Sequence, residues 1–459
     1  MSLEQIKRVY FIGIGGIGMS ALARYFKLTG YWVAGYDRTI TSLTRSIESE
    51  GIDVVYEDSL DAVPLKIMNE NRDHVLIVYT PAVPSDHPQL VYFQKNNYTI
   101  YKRSQVLGMI THSRKGIAIS GTHGKSTITS MVTHLLKSSS VDCSAFMGAI
   151  SKNYNTNMLY SNHSDYVVIE ADEFDRSFLT LSPEIAVITA IDEDHLDIYK
   201  DKNDIQESFM KFIQRLKPEG KLIIKKGLMP NEEVAKNRFT YSDKDITADF
   251  HALNVKIVNG YYEYDVATPT NIIRGIRLGL PGRFNLENSI AAIAVCMMTG
   301  LLESEIKHGL DTFAGVQRRF DFHIRNEKMI YLDDYAHHPE EIKACINSVR
   351  ELFPNKKITG IFQPHLYSRT RDFAAEFAVS LNLLDELILL DIYPAREEPI
   401  EGLTSGIIFR DITIKNREQC SKNQLMEILK TKSPEILLTM GAGDIDNFVE
   451  PIKELFSNK

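Results

Sequence analysis

Gly116-Ile117-Ala118-Ile119-Ser120-Gly121-Thr122-His123-Gly124-Lys125-Ser126 decides the fold, because an apolar run, a glycine loop and a helix start follow one another without a gap. Gly116 to Ser120 reads as a buried strand, and Ser126 to Lys137 as a helix. The Gly-Lys-Ser ending between them has the chemistry that a triphosphate needs. Backbone N–H groups of such a loop cradle phosphate oxygens, the lysine neutralises the β and γ groups, and the adjacent hydroxyl ligates magnesium. Gly121, Thr122, His123, Gly124, Lys125, Ser126 and Thr127 are therefore candidate ATP-binding residues, with Lys125 also catalytic. The first glycine of the ordinary P-loop pattern falls here on Ile119, so the reading leans on the preceding strand and the closely spaced glycines. A plain structural loop is the competing reading.

Upstream, Val9 to Ile14, Met19 to Leu28, Trp32 to Tyr36 and Thr41 to Glu50 alternate strand-like and helical patterns, the order of a parallel sheet covered by helices. The first turn holds Gly13, Gly15 and Gly18 in the spacing G-x-G-x-x-G, with Gly16 and Ile17 between, and Asp37 ends the second strand. Glycines let the backbone approach a diphosphate, and the helix start adds N–H groups and partial positive charge. This spacing fits NAD, FAD and UDP-sugars alike, and a tight turn as well. Asp37 stands where a ribose-binding acid would, or simply solvates a strand end.

Downstream, strands are expected at Tyr166 to Ile169 and Ile185 to Ala190, then a β-rich stretch from Thr247 to Gly279 and a helix from Leu286 to Thr299. The rhythm restarts after Arg319 with strands at Met329 to Leu332, Ile358 to Phe362, Glu386 to Leu390 and Ile436 to Met440, and a helix from Glu340 to Leu352. The fold class is α/β in three domains: an N-terminal Rossmann-like parallel sheet over 1–107, a central P-loop ATPase domain over 108–318, and a C-terminal Rossmann-like domain over 319–459. Two acid clusters follow central strands, Glu170-Ala171-Asp172-Glu173 and Asp192-Glu193-Asp194-His195-Leu196-Asp197. Ligands gather at the carboxyl edge of open parallel sheets, so either cluster could complete a magnesium site, although such clusters are commonly solvated loop ends.

A chain of 459 residues, 44% hydrophobic and 24% charged, is globular and long enough for several cores. Its net charge of −8 gives no basic footprint for nucleic acid. No run reaches the ~18 apolar residues of a membrane span, and the first residues lack a signal core, so a soluble cytoplasmic protein is expected. Cys143, Cys296, Cys345 and Cys420 show no pairing or metal-ligand spacing, which suits buried thiols in a reducing compartment.

Taken together and in order, these elements resemble the Mur ligase family. Further parts of the resemblance are Asp194-His195, Leu280-Pro281-Gly282-Arg283-Phe284-Asn285, Arg318-Arg319-Phe320, Asp333-Asp334-Tyr335-Ala336-His337-His338-Pro339 and Gln363-Pro364-His365, spanning essentially the whole chain. The resemblance implies a UDP-binding first domain, an ATPase second domain and a third domain that closes over the nucleotide and brings an amino acid. It implies that Ser126, Glu170 and His195 hold magnesium, for which manganese could substitute. It places Asn285, Asn288, Arg319 and Asp334 at the nucleotide, and Lys152, Asn153 and Asn155 near a UDP-N-acetylmuramate acceptor. His337, His338, His365 and Arg369 would belong to the reaction region and the incoming L-alanine. Bland readings stand beside these: helix caps for Asn285 and Asn288, surface charge for Arg318 and Arg319, a helix entry for His337 and His338 before Pro339. The family commonly has arginine where Leu366 follows Gln-Pro-His, and threonine where Ser126 keeps the hydroxyl.

The chemistry follows from the residues too. A carboxylate acylates poorly in water, and taking up a γ-phosphoryl group gives it a leaving group that an amine can displace. His195, His337 or His338 would accept the amine proton. Three other readings compete: a ligase that recycles a preformed tripeptide onto the same nucleotide, a nicotinamide-dependent dehydrogenase, and a nonenzymatic nucleotide-binding protein. Sequence leaves the oligomeric state open.

Overall fold

The computed structural model describes residues 5–192, 199, 201–228, 235–395 and 397–457. It comprises two compact units, one built from the chain up to Leu253 with Asp265–Ile276 and Asn288–Ala314, the other from Asn254–Tyr264, Arg277–Glu287 and Gly315–Lys459. Three sheets carry the described strands, and the expected α/β class holds throughout.

The first sheet consists of β1 (Arg8–Ile12), β2 (Trp32–Tyr36), β3 (Asp53–Val55), β4 (Val75–Tyr79) and β5 (Thr99–Lys102), in the order β3-β2-β1-β4-β5 and parallel throughout. From β1 the chain first builds to one side and then to the other, so the loop after β1 sits at the switch point where ligands bind in such sheets. Strand β1 ends at Ile12 rather than Ile14: Gly13 turns at φ +88°, and the amides of Gly13 and Ile14 both donate to Tyr36 O at 2.8 and 2.9 Å. The helix Ile17–Leu28 starts two residues before the expected Met19, because a glycine at 18 is tolerated in a first turn that leaves its amides free for other partners.

The second sheet runs β15-β14-β13-β12-β11-β10-β6-β9-β7-β8. Its strands are β6 (Lys115–Ser120), β7 (Ser144–Ser151), β8 (Thr156–Leu159), β9 (Tyr166–Glu170), β10 (Ile185–Ile188), β11 (Lys221–Lys225), β12 (Asn237–Ser242), β13 (Phe250–Val258), β14 (Tyr261–Ala267) and β15 (Ile272–Arg277). Strand β6 is parallel to both neighbours, β10 and β9, and its inner residues from Gly116 to Ser120 are buried on both faces, which is why they read as one continuous small and apolar run. Its carboxyl end opens into the P-loop, again beside a switch point.

The third sheet is β16 (Asp321–Arg325), β17 (Ile330–Asp334), β18 (Ile358–Phe362), β19 (Glu386–Leu390), β20 (Asn416–Cys420) and β21 (Ile436–Met440), ordered β16-β17-β21-β18-β19-β20. Only β16 is antiparallel to its neighbour. The carboxyl ends of β17 and β18 flank β21 and carry the Asp334 and Gln363-Pro364-His365 segments.

Within the first unit, helix Ile17–Leu28 packs on β7 and β8 and sends Arg24 into a buried polar joint. Its guanidinium donates to Glu50, to Ser46 Oγ at 3.0 Å and to Asn157 Oδ1, while the Asn157 amide donates to Ile17 O at 2.6 Å. Removing one partner leaves others buried without compensation. Arg24→Ala is expected to cost about 2 kcal/mol, below the full buried-pair value because Glu50 is partly solvated, and to lower the calorimetric midpoint by roughly 5 °C. Arg45→Ala, which removes an exposed ion pair with Glu48, is the control and should change stability by under about 0.5 kcal/mol.

Candidate functional site

In the P-loop, Gly124 adopts φ +84° and hands the chain to the helix Lys125–Lys137, whose first-turn N–H groups have no intrahelical acceptor. Lys125 Nζ donates to Gly121 O at 2.7 Å and to Glu173 Oε1 at 2.8 Å. Ser126 Oγ donates to Glu170 Oε1 at 2.8 Å, and Glu170 Oε2 accepts the Gly148 amide at 2.8 Å. A Cβ on Gly148 would lie 2.3 Å from Glu170 Oε1, so the absence of a side chain there is what admits the carboxylate. Burial raises the pKa of Glu170 and of Glu173, with Lys125 opposing both. Burial also acts to lower that of Lys125, but Glu173, Asp172 and Glu170 outweigh it and the ammonium keeps its proton.

Thr122 and His123 both face Asp192: the Thr122 hydroxyl donates at 3.3 Å, and His123 Nε2 lies 3.5 Å away. Thr127 is buried in the helix. Asn288 Oδ1 lies 2.9 Å from where a Gly124 Cβ would stand, which brings this asparagine to the loop from the helix Arg283–Met298. Asn285, earlier on the same helix, donates from Nδ2 to Pro281 O at 2.8 Å. His195 lies outside the described residues. Glu173 stands in a sequence cluster that signalled acids without saying which one meets Lys125. The strand β9, the turn after it and the Tyr199 hydroxyl, which donates to Glu173 O at 2.6 Å, make that choice.

At the first glycine loop, Asp37 Oδ2 accepts the Gly15 amide at 2.7 Å and Oδ1 accepts the Thr39 amide at 3.0 Å, so this acid braces the loop itself. Gly16 caps the following helix without a side-chain bond, and no acid occupies its first turn. Arg103 lies over Gly18, its Nη1 2.7 Å from the site of a Cβ. No spacing in the sequence connects Arg103, over 80 residues away, to this loop. Lys152, Asn153 and Asn155 form the turn between β7 and β8: Asn155 is left-handed at φ +52°, and the Asn153 amide bonds Thr312 O and Ala314 N, each at 2.9 Å.

The second unit gathers the C-terminal residues. Asp334 is buried, accepts the Phe320 and Ala336 amides at 2.7 and 2.8 Å, and has its pKa pushed up to about 7 by burial against the pull of Arg319. Arg318 and Arg319 lie over the Tyr335 ring, and Arg319 reaches Glu341 at 3.7 Å. Glu341 Oε2 also accepts the backbone amides of His337 and His338, at 3.1 and 3.3 Å.

The two histidines are not equivalent. His338 Nδ1 accepts the Glu340 amide at 3.4 Å and caps the helix Pro339–Leu352, with its ring edge-on to Phe373. Both neighbours of His337 Nδ1 are acceptors, Tyr335 O at 3.0 Å and Glu341 at 3.3 Å, so Nδ1 carries the hydrogen and Nε2 the lone pair. Burial first, with Arg369 and Arg319 adding to it against Glu341, lowers the His337 pKa to about 4. The His365 ring stacks on Tyr393 and stands 6.0 Å from that of His337. Leu366 holds φ +70°, rare for a leucine, and its amide donates to Tyr393 O at 2.9 Å.

A P-loop whose lysine and hydroxyl meet acids at neighbouring strand ends, on the second of three α/β sheets in chain order, defines a phosphoryl-handling α/β enzyme. Family models agree along the chain: the Mur ligase family catalytic domain matches residues 8–115, the Mur ligase middle domain 119–296, and the Mur ligase glutamate ligase domain 318–443. The chain belongs to the Mur ligase family. It is 51% identical to a UDP-N-acetylmuramate--L-alanine ligase of Phocaeicola vulgatus over 100% of both chains. It is 49% identical to one of Parabacteroides distasonis, over 99% of this chain and 98% of that one. Among solved structures, the UDP-N-acetylmuramate-alanine ligase of Thermotoga maritima superposes with a TM-score of 0.83 at 26% identity, covering 98% of this chain and 99% of its own.

His337, and His134 in the first unit, both have pKa values lowered to about 4 from 6.5. Between those values the unfolded chain binds protons that the folded chain refuses, so this share of stability is whole above about pH 6.5 and is lost as pH falls toward 4. In nitrogen-15 spectra both rings should stay neutral down to about pH 5, His337 as the Nδ1–H tautomer; a ring titrating near its ordinary value would contradict the burial argument.

Proposed function

We propose that the protein is an ATP-dependent ligase of the cytoplasm that joins L-alanine to UDP-N-acetylmuramate in peptidoglycan synthesis. The observation that carries the reading is the convergence of Ser126 and Glu170 beside Lys125, in a chain that matches L-alanine ligases from end to end. Among the described residues no helix is long and apolar enough to cross a membrane. All four cysteines are free and buried, as in reducing compartments.

In this reading the acceptor carboxylate attacks the γ-phosphorus of ATP, the β–γ bridging bond breaks toward ADP, and an acyl phosphate forms. Lys125 neutralises charge on the phosphates, and the first-turn amides after Gly124 cradle their oxygens, with Asn288 beside the loop. Ser126 and Glu170 fit a small hard cation, since both offer oxygen and Gly148 leaves room for the carboxylate. Magnesium bound there supplies further charge neutralisation. The L-alanine amine then attacks the acyl carbon, the carbonyl re-forms, and phosphate leaves. His337 suits the proton transfer best: it is neutral with its Nε2 lone pair available, whereas His338 uses Nδ1 as a cap. Arg369, whose charge acts on His337, is assigned to the L-alanine carboxylate beside His365, and Arg319 with Asp334 to the nucleotide. Gly13 to Gly18 with Arg103 would hold the UDP diphosphate; Asp37 shapes that loop.

Phosphate release with UDP-N-acetylmuramate and ATP, measured against L-alanine, L-serine, glycine and L-Ala-γ-D-Glu-meso-diaminopimelate with mass detection of the product, should favour L-alanine. Tripeptide preference would assign the recycling reaction instead, and absence of any amide product would sink the ligase reading. Lys125→Ala should lower turnover on the order of 100-fold or more while UDP-N-acetylmuramate binding stays near wild type. Gly148→Ala should keep the fold and still lower turnover at least about tenfold, because its methyl group displaces the Glu170 carboxylate from Ser126.

A further inference from the structure

The helix that begins with Lys125 and Ser126 carries His134 on its third turn, and this ring is buried at 7% exposure. Its Nδ1 lies 3.0 Å from the Tyr154 hydroxyl and its Nε2 2.9 Å from Thr312 Oγ1. The Thr312 hydroxyl donates its own hydrogen to His308 O at 2.8 Å, so toward the ring it accepts. Nε2 therefore carries the hydrogen, and Nδ1 takes the Tyr154 O–H. One neutral tautomer satisfies every group in the chain Tyr154, His134, Thr312, His308.

Tyr154 belongs to the turn between β7 and β8, flanked by Asn153 and Asn155. Asn153 grips the same end of the helix Glu303–Thr312, through Thr312 O and the Ala314 amide. The turn is thus pinned to one anchor by the Asn153 amide and to the P-loop helix by the histidine. Phe313 closes the far side of the ring at 6.0 Å between centroids. An aliphatic side chain would fill the space between helix and turn as well, but could not hold Tyr154 and Thr312 at set positions. A buried, fully satisfied polar chain selects one arrangement where apolar packing tolerates several.

We propose that His134 is a positioning residue that sets the β7–β8 turn, and with it Lys152 and Asn155, relative to the helix bearing Lys125, so that it governs affinity for the acceptor sugar. This rests on the reading of Lys152, Asn153 and Asn155 as contacts of UDP-N-acetylmuramate. His134 touches neither substrate. It acts through Tyr154 and Thr312, and about 13 Å of continuous helix separates it from Lys125. Its influence therefore falls on the acceptor and spares the nucleotide.

The test uses the full chain and direct titration with UDP-N-acetylmuramate and, separately, with ATP in magnesium. Thr312→Val keeps the shape and removes the hydroxyl, Thr312→Ser keeps the hydroxyl, and Tyr154→Phe removes the other bond. Acceptor Kd should rise roughly tenfold in Thr312→Val and somewhat less in Tyr154→Phe, as expected for one lost buried hydrogen bond, while ATP affinity stays within about twofold and Thr312→Ser restores acceptor binding. His134→Ala should show the sum of the two effects if it folds, and the Thr312 pair decides the matter if it does not. Unchanged acceptor affinity in Thr312→Val, or parallel loss of ATP and acceptor binding, would overturn the proposal. Wild-type protein that binds the acceptor yet forms no amide would sink the ligase reading alone; one that binds no acceptor would sink both.

Discussion

One ammonium group among carboxylates organises the P-loop end of the first unit. Lys125 is removed from most solvent, and a buried cation that lacks a compensating anion is too costly to keep. Glu173 meets it directly at 2.8 Å, and Glu170 is held by Ser126 and the Gly148 amide. The strand ends of β6 and β9 must therefore lie side by side with their loops turned inward. Their parallel register, with Ile119 opposite Glu170, is the backbone expression of that electrostatic need. Gly148 belongs to the same constraint, because a side chain there would push the carboxylate off its hydroxyl partner.

The same solution recurs at the first glycine loop and in the second unit. In each, acids at the carboxyl ends of parallel strands, or in the first turn of the helix that follows, are tied to backbone amides. Asp37 braces Gly15 and Thr39; Asp334 braces Phe320 and Ala336; Glu341 braces His337 and His338. These acids spend their lone pairs on the chain itself, and the groups they shape are glycine amides, arginines and an imidazole with one nitrogen free. An acid beside a glycine loop can thus hold the shape of the loop itself, as Asp37 does through Gly15 and Thr39.

Much of the fold was legible because strand burial leaves a local record. Trp32–Tyr36, Ile358–Phe362, Glu386–Leu390 and Ile436–Met440 form strands with the bounds their largely apolar runs indicate, since a strand buried on both faces favours apolar residues at most positions. Ends were less legible: Ile14 is as apolar as Ile12, yet the turn at Gly13 has already taken it out of the sheet. The P-loop was legible because phosphate chemistry demands glycines, lysine and hydroxyl in consecutive positions. Arg103 was not, because its place over Gly18 depends on how two elements far apart in the chain pack. Nor was the inequality of His337 and His338, which are neighbours of one residue type and differ only in what surrounds each ring.

The sequence by itself determined the three-sheet α/β plan, the two glycine loops and the family of ligases to which the chain belongs, since local periodicity and contiguous motifs carry that information. Only the tertiary structure decided which acid faces Lys125, that Asp37 serves the loop, that His338 caps while His337 keeps Nε2 free, and that His134 joins a turn to the P-loop helix. Those outcomes depend on distances between residues separated by tens of positions, and on the hydrogen-bond partner left over once nearer groups have been satisfied.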